Sequence, residues 1–327
     1  MRSTRAQILT GSEETAHELS DRLEAQTGAA GSLRHYGSGM PQESWVPKLH
    51  RGFEIRDELR DYLVEQANAP RPARYETNAD EHTNRRVWAQ WVAETVPSYE
   101  RAAVLLGDAI HNLRAAMDHA VWAITPEAVR LAYPRRVAFP LHSTEKLYKD
   151  WLKSRKSWYG PTVLAVFEWA QPYAASANEI HPLHILQYLS NTDKHQLLNV
   201  VANNQVNLAE ITVEPKPEGG VVSSVNEGVV EPGTVLARVE FPRHEAKSPG
   251  ERTSMDIKGV FAYEQVVRYV DISENERWLP VGEVMNRIGP MVVEAVGYVI
   301  SADLKDRGLY TEPSATTDSV QSDSDSA

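Results

Sequence analysis

One stretch, residues 98–124, constrains the fold of this chain more than any other. Pro97-Ser98 opens it and Pro126 closes it, so proline stands at its edges, where a helix tolerates it. Leu106, Ala109, Ile110, Leu113, Ala116, Met117, Ala120 and Ile124 recur at helical spacing and make one apolar stripe. At about 100° per residue, Asp108, His111, Asn112, Arg114, Asp118 and His119 fall on a complementary arc of roughly 160°. A solvated helix face is ordinarily Glu, Lys, Gln and Arg. Asp, Asn and His are poorer helix formers, so something besides helicity selects this face.

A second helix is expected over residues 181–201. There His184, Tyr188, Asn191 and His195 form one stripe, flanked by His181 and Lys194, with leucines roughly opposite. The simplest arrangement brings the two polar faces together as a cleft inside a helical bundle, with His111 or Arg114 in reach of Asn191 or His195.

The rest of the chain supports an α+β organisation. Residues 1–42 read as a loosely attached arm, with a Gly/Ser-rich stretch from Gly28 to Gly39. Residues 43–205 carry the helices, beginning with one from about Pro47 to Asn68, and 73–95 reads either as a β-hairpin or as helix over 85–95. Short β-branched runs separated by Gly and Pro predict a β-rich insertion at 206–272. An amphipathic helix within 273–310 is expected to return to the bundle. The Ser/Thr/Asp-rich end, 311–327, has the composition of a disordered acidic tail.

Composition narrows the chemistry. There is no cysteine, which removes disulfides, thiolate nucleophiles and Cys-based zinc sites and fits a cytoplasmic setting. No apolar run approaches the ~18 residues of a membrane span, and the first residues lack a secretory h-region, so neither span nor signal is expected. A net charge of −11 argues against a broad nucleic-acid surface but leaves room for a small basic site. The run Lys153-Ser154-Arg155-Lys156 is one such patch, of the kind usually found at a solvated helix end.

Four strings carry a resemblance. Gly-Asp-Ala-Ile-His-Asn-Leu-Arg-Ala-Ala-Met-Asp-His at 107–119, Phe-Pro-Leu at 139–141, Gln-Pro-Tyr at 171–173 and Ser-Asn-Thr-Asp-Lys-His-Gln-Leu-Leu at 190–198 resemble, in order and spacing, a family of uncharacterised proteins from actinobacteria and their phages. More loosely, Arg114 followed by His119 is similar to the Arg-x(4–6)-His motif of the HEPN superfamily, with Ala115 where its nucleases usually carry a polar residue. This second resemblance implies an antiparallel HEPN-like helical bundle, here with the β-rich insertion before the C-terminal helix. It also implies a homodimeric, metal-independent ribonuclease acting on RNA or nucleotides without a cofactor.

Three function classes stay open. In the first, an RNA-handling enzyme, Arg114, His119 and His195 are catalytic, and His111, Asn112, Asp118, Asn191, Lys194 and Trp122 contact substrate. His offers proton transfer near neutral pH and Arg a bidentate fork for phosphate. In the second, His111, Asp118 and His195, with His184 nearby, hold a metal for hydrolysis. In the third, the polar faces are a buried structural network in a non-catalytic protein that binds a protein partner.

Overall fold

A computed structural model describes residues 44–69, 73–79, 85–175, 180–245 and 253–309. The expected arm at 1–42 and tail at 311–327 lie outside the described residues. The chain is α+β, and its residues cluster into two compact units. A mixed unit comprises 48–115 and 175–291. Of the described residues, a helical unit takes 44–47, 116–174 and 292–309.

The mixed unit begins with α1 (Trp45–Asn68), which runs on into β1 (Ala73–Thr77) and β2 (Arg86–Ala93). The long motif helix α2 (Glu100–Ile124) gives its first sixteen residues to this unit. Contact between α1 and α2 is tight because Gly52 has no side chain: a Cβ there would stand 2.9 Å from Leu113 Cδ2. α1 meets the C-terminal helix α7 (Val281–Asp306) in the same way, with Phe53 Cε1 2.9 Å from where a Gly289 Cβ would lie.

Two antiparallel sheets complete the unit. The first has the order β1-β2-β5-β4, with β4 at Val222–Val225 and β5 at Val235–Pro242. The second has the order β3-β6-β7, formed by Val200–Glu214, Ser254–Val270 and Glu276–Pro280. Inward residues of both sheets, Val213, Val239 and Phe241 with Val87, Trp91 and Ile211, make a common apolar core. Buried Asn204 links the sheets by donating to the carbonyls of Asn226 (2.7 Å) and Leu236 (3.0 Å). The β structure is therefore not confined to an insertion at 206–272. It runs from Val200 to Pro280 and recruits β1 and β2, because Val87, Ala89, Trp91 and Ala93 bury against strands far along the chain.

The second polar helix is shorter than its spacing predicts. α6 spans Pro182–Asp193 and stops at Lys194. The apolar run that follows becomes β3, whose Val200–Glu214 ladder with β6 satisfies the backbone that a longer helix would have used.

The helical unit holds the end of α2, then α3 (Glu127–Ala132), α4 (Glu145–Arg155), α5 (Pro161–Trp169) and the last half of α7. Short 3-10 turns follow α3 at Pro134–Arg136, α4 at Lys156–Trp158 and α5 at Pro172–Ala174. Phe139, Tyr148, Trp151, Tyr159 and Phe167 fill its interior with rings in edge or stacked contact.

α5 lacks a side-chain cap of its own, because its N-cap is Gly160. The carboxylate of Asp306, at the end of α7, caps it instead. Asp306 accepts from the Thr162 and Val163 N–H groups, each at 3.1 Å. Gly160 is required for this, since a Cβ there would stand 2.2 Å from Asp306 Oδ2.

Candidate functional site

The polar arc of α2 is best followed unit by unit. In the mixed unit, Asp108 and His111 are exposed, and Asn112 and Arg114 are half-buried. Asn112 Nδ2 donates to the Asp108 carbonyl (2.8 Å), and its Oδ1 accepts from Lys48 Nζ (3.3 Å). Part of the arc thus serves helix-to-helix attachment between α1 and α2.

Two members of the α6 stripe, His184 and Tyr188, face β6. His184 is buried, and its Nδ1 is hydrogen-bonded to the Tyr269 hydroxyl of β6. Tyr188 packs edge-on against the same ring, at 5.5 Å. Burial holds the His184 imidazole below its ordinary pKa and the Tyr269 phenol well above. His184 is therefore a neutral, paired core histidine. Asn191, Lys194 and His195 are exposed, the last two beyond the helix. Of the expected stripe, His184 and Tyr188 pack on Tyr269 of β6, while Asn191, Lys194 and His195 are exposed near the end of α6.

What meets α2 is Asp193. It lies nine residues after His184, on the opposite side of α6 at about 100° per residue, in line with Leu186 and Leu189. Its carboxylate sits over Gly107, where a Cβ would be 2.2 Å from Oδ1 and 2.8 Å from Cγ. Burial and the charge of Asp108 raise its pKa, with His111 acting the other way. Asp193 also ends α6, where the helix dipole disfavours a negative charge. The position works against stability on three counts. Sequence reasoning missed this residue; the signal was a glycine in the interior of a strong helix, where only a close approach justifies it.

In the helical unit, Asp118 and His119 are half-buried, as is Trp122, whose ring lies 5.9 Å from the Arg130 guanidinium. Asp118 Oδ1 accepts the Phe139 N–H (2.9 Å). Gln171, with 0% exposure, donates to the carbonyls of Pro140 (2.7 Å) and Phe167 (2.6 Å) and accepts from the His142 N–H (3.0 Å). Asp118 and Gln171 thus hold the loop at 139–142 from two sides, satisfying backbone groups that no regular element pairs. His119 Nδ1 lies 3.3 Å from the Ser44 carbonyl oxygen.

No protein-family model, curated protein or solved structure matches the chain. The geometry ties the four strings to one another within this chain. Gly107 of the first seats Asp193 of the fourth, Asp118 of the first holds Phe139 of the second, and Gln171 of the third holds Pro140. Among the described residues, no group of three or more His, Asp or Glu side chains is placed to hold a metal ion. The set His111, Asp118 and His195 is not brought together as a metal centre: Asp118 is committed to Phe139, and His195 is an exposed residue past the end of α6.

Proposed function

We propose that the chain is an RNA-handling protein of HEPN-like type, with His119 as its proton-transfer group and Arg114, five residues earlier on α2, as its phosphate-binding guanidinium. The state of His119 carries this reading. A carbonyl oxygen only accepts, so the contact with Ser44 requires the proton on Nδ1. In the neutral ring Nε2 then holds the lone pair, and the side chain is only half-buried. An imidazole anchored at one nitrogen and basic at the other is suited to take a proton from a ribose 2′-OH. The oxygen attacks the adjacent phosphorus, the bond to the 5′-oxygen breaks as that oxygen takes up a proton from solvent, and a 2′,3′-cyclic phosphate and a free 5′-OH remain. Arginine charge stabilises the phosphorane-like transition state. By the same resemblance the active form is a homodimer presenting two such pairs to one phosphate.

The test compares wild type with His119→Ala on RNA in excess EDTA, over concentrations that span dimer formation. Cleavage by wild type alone, with a cyclic phosphate product and DNA spared, is expected. Equal cleavage by both removes His119 from the chemistry. Cleavage by neither supports a second reading, a non-catalytic protein whose polar residues are structural. Asp118 and Gln171 favour that second reading, because both hold backbone rather than face solvent.

A further inference from the structure

The helical unit carries a cationic, aromatic surface that neither α2 nor α6 accounts for. The 3-10 turn after α3 brings Arg135 and Arg136, and the end of α4 brings Arg155 and Lys156. The two segments are joined through rings. Tyr133 stacks on Trp158 at 5.6 Å and 16°, and the Arg136 guanidinium lies 5.5 Å from the Tyr133 ring. Arg155 lies over both Trp151 (5.7 Å) and Trp158 (5.6 Å).

Among the described residues these cations have no carboxylate partner. Lys153 is paired with Asp150 at 2.8 Å, whereas among the described residues no carboxylate lies within 4.0 Å of Arg135, Arg136, Arg155 or Lys156. The grouping stands in a chain whose net charge is −11. Arg155 is further penalised by burial and by the charge of Arg136, and its Nε is buried without an acceptor. The dipole of α4 favours Lys153 and Arg155 in its last turn but does not reach Arg135 and Arg136, which stand on a three-residue turn.

Three of the four cations are arginines, whose planar fork matches phosphate oxygens. Tyr133 is 44% exposed and held rigid by its stack on Trp158, and the Arg136 guanidinium now over its ring would move to a phosphate and leave the ring to an unpaired base. A duplex hides its base faces, and a lipid headgroup has none. We infer that Tyr133, Arg135, Arg136, Arg155, Lys156 and Trp158 form a binding surface for single-stranded nucleic acid. The guanidinium and ammonium groups take successive phosphates, and the Tyr133 ring takes a base. The strand is RNA where the RNA-handling reading above holds, but capture itself does not need His119.

The test is fluorescence anisotropy with the full chain and 5′-labelled 12-mers, oligo(U) and oligo(dT), beside a 12-bp RNA duplex and phosphatidylserine vesicles. Every measurement is made in both wild-type and His119→Ala protein, so loss of cleavage and loss of capture are read separately. Four contacted phosphates predict a log–log salt slope near −3 for the single strands. Arg135→Glu/Arg136→Glu, at two exposed positions, keeps the wild-type melting curve, weakens both single strands at least tenfold and flattens the slope by about 1.4. Tyr133→Ala weakens them about fivefold or more, while Lys153→Ala, whose charge is already paired, changes affinity less than twofold. The proposal is overturned by wild-type affinity in the double-Glu variant, by a duplex bound as tightly as the single strands, or by vesicles bound in their place.

Discussion

Gly107→Ala tests the contact between α2 and α6 at one atom. Inside an ordinary helix the change stabilises by about 1 kcal/mol. Here the new methyl lies 2.2 Å from Asp193 Oδ1, against 3.4 Å or more for ordinary contact, so the carboxylate or the helix must move by over 1 Å. Overpacking of this kind costs about 1–3 kcal/mol, and the single variant is therefore neutral to about 2 kcal/mol less stable. Asp193→Ala removes the obstacle together with an unfavourable charge at the end of α6. In that background Gly107→Ala recovers its helical gain of about 1 kcal/mol, and the double-mutant cycle shows a coupling of about 1–3 kcal/mol. Urea unfolding followed by circular dichroism measures all four corners. Gly107→Ala effects that are equal in the presence and absence of Asp193 would refute the close approach. The same pair has a pH signature. The Asp193 pKa is raised in the native state, so folding takes up a proton, and stability rises as pH falls from above the native pKa toward 3.8. Asp193→Asn stabilises the protein at neutral pH and loses that rise.

Asp306→Ala uncaps α5 and costs about 1 kcal/mol by thermal or urea melting. Burial pushes the Asp306 carboxyl up, but the Thr162 and Val163 hydrogen bonds outweigh it and the net pKa is lowered. Its contribution is thus present above about pH 4 and fades as pH falls through the native pKa, opposite in sign to Asp193. Tyr269→Phe strands the buried His184 Nδ1 and costs about 1–3 kcal/mol in urea melts. Because the native His184 pKa is lowered, protonation favours the unfolded chain, and wild-type stability declines as pH falls below 6.5. Gln171→Leu leaves the Pro140 and Phe167 carbonyls and the His142 N–H unpaired, and is expected to lower stability by at least about 2 kcal/mol in the same assay.

Which parts were legible in the sequence follows from which signals are local. The helix from Glu100 to Ile124 was readable because its apolar stripe repeats from Leu106 to Ile124, about five turns, between prolines. The β-branched composition past residue 206 marked strands, yet their reach was not visible. Val87 and Trp91 bury against β5, and no local pattern announces a partner about 150 residues away. The end of α6 was overrun because the alternation of polar and leucine positions continues through Leu197 and Leu198, while the competing ladder with β6 lies 60 residues on. The polar arc of α2 was recognised as unusual, but residue type could not sort its members. Asp118 turned to a backbone amide, Asn112 to a lysine on α1 and His119 to Ser44, and each partner is distant in sequence. Nothing local marks Asp193, since its role depends on a glycine 86 positions earlier.

The cap on α5 also fixes an order of events during synthesis. Its donors, the Thr162 and Val163 amides, leave the ribosome 144 and 143 residues ahead of the Asp306 carboxylate that accepts from them. At roughly 5–20 residues per second, that is an interval of roughly 7–30 s. The strands from Val200 to Pro280 emerge in the meantime. For that period the start of α5 at Gly160 lacks the carboxylate that caps it in the folded chain. A nascent chain arrested before Asp306 would hold a completed set of strands beside an unfinished helical unit. Its α5 amides would remain open to any passing anion or chaperone until the last turn of α7 arrives.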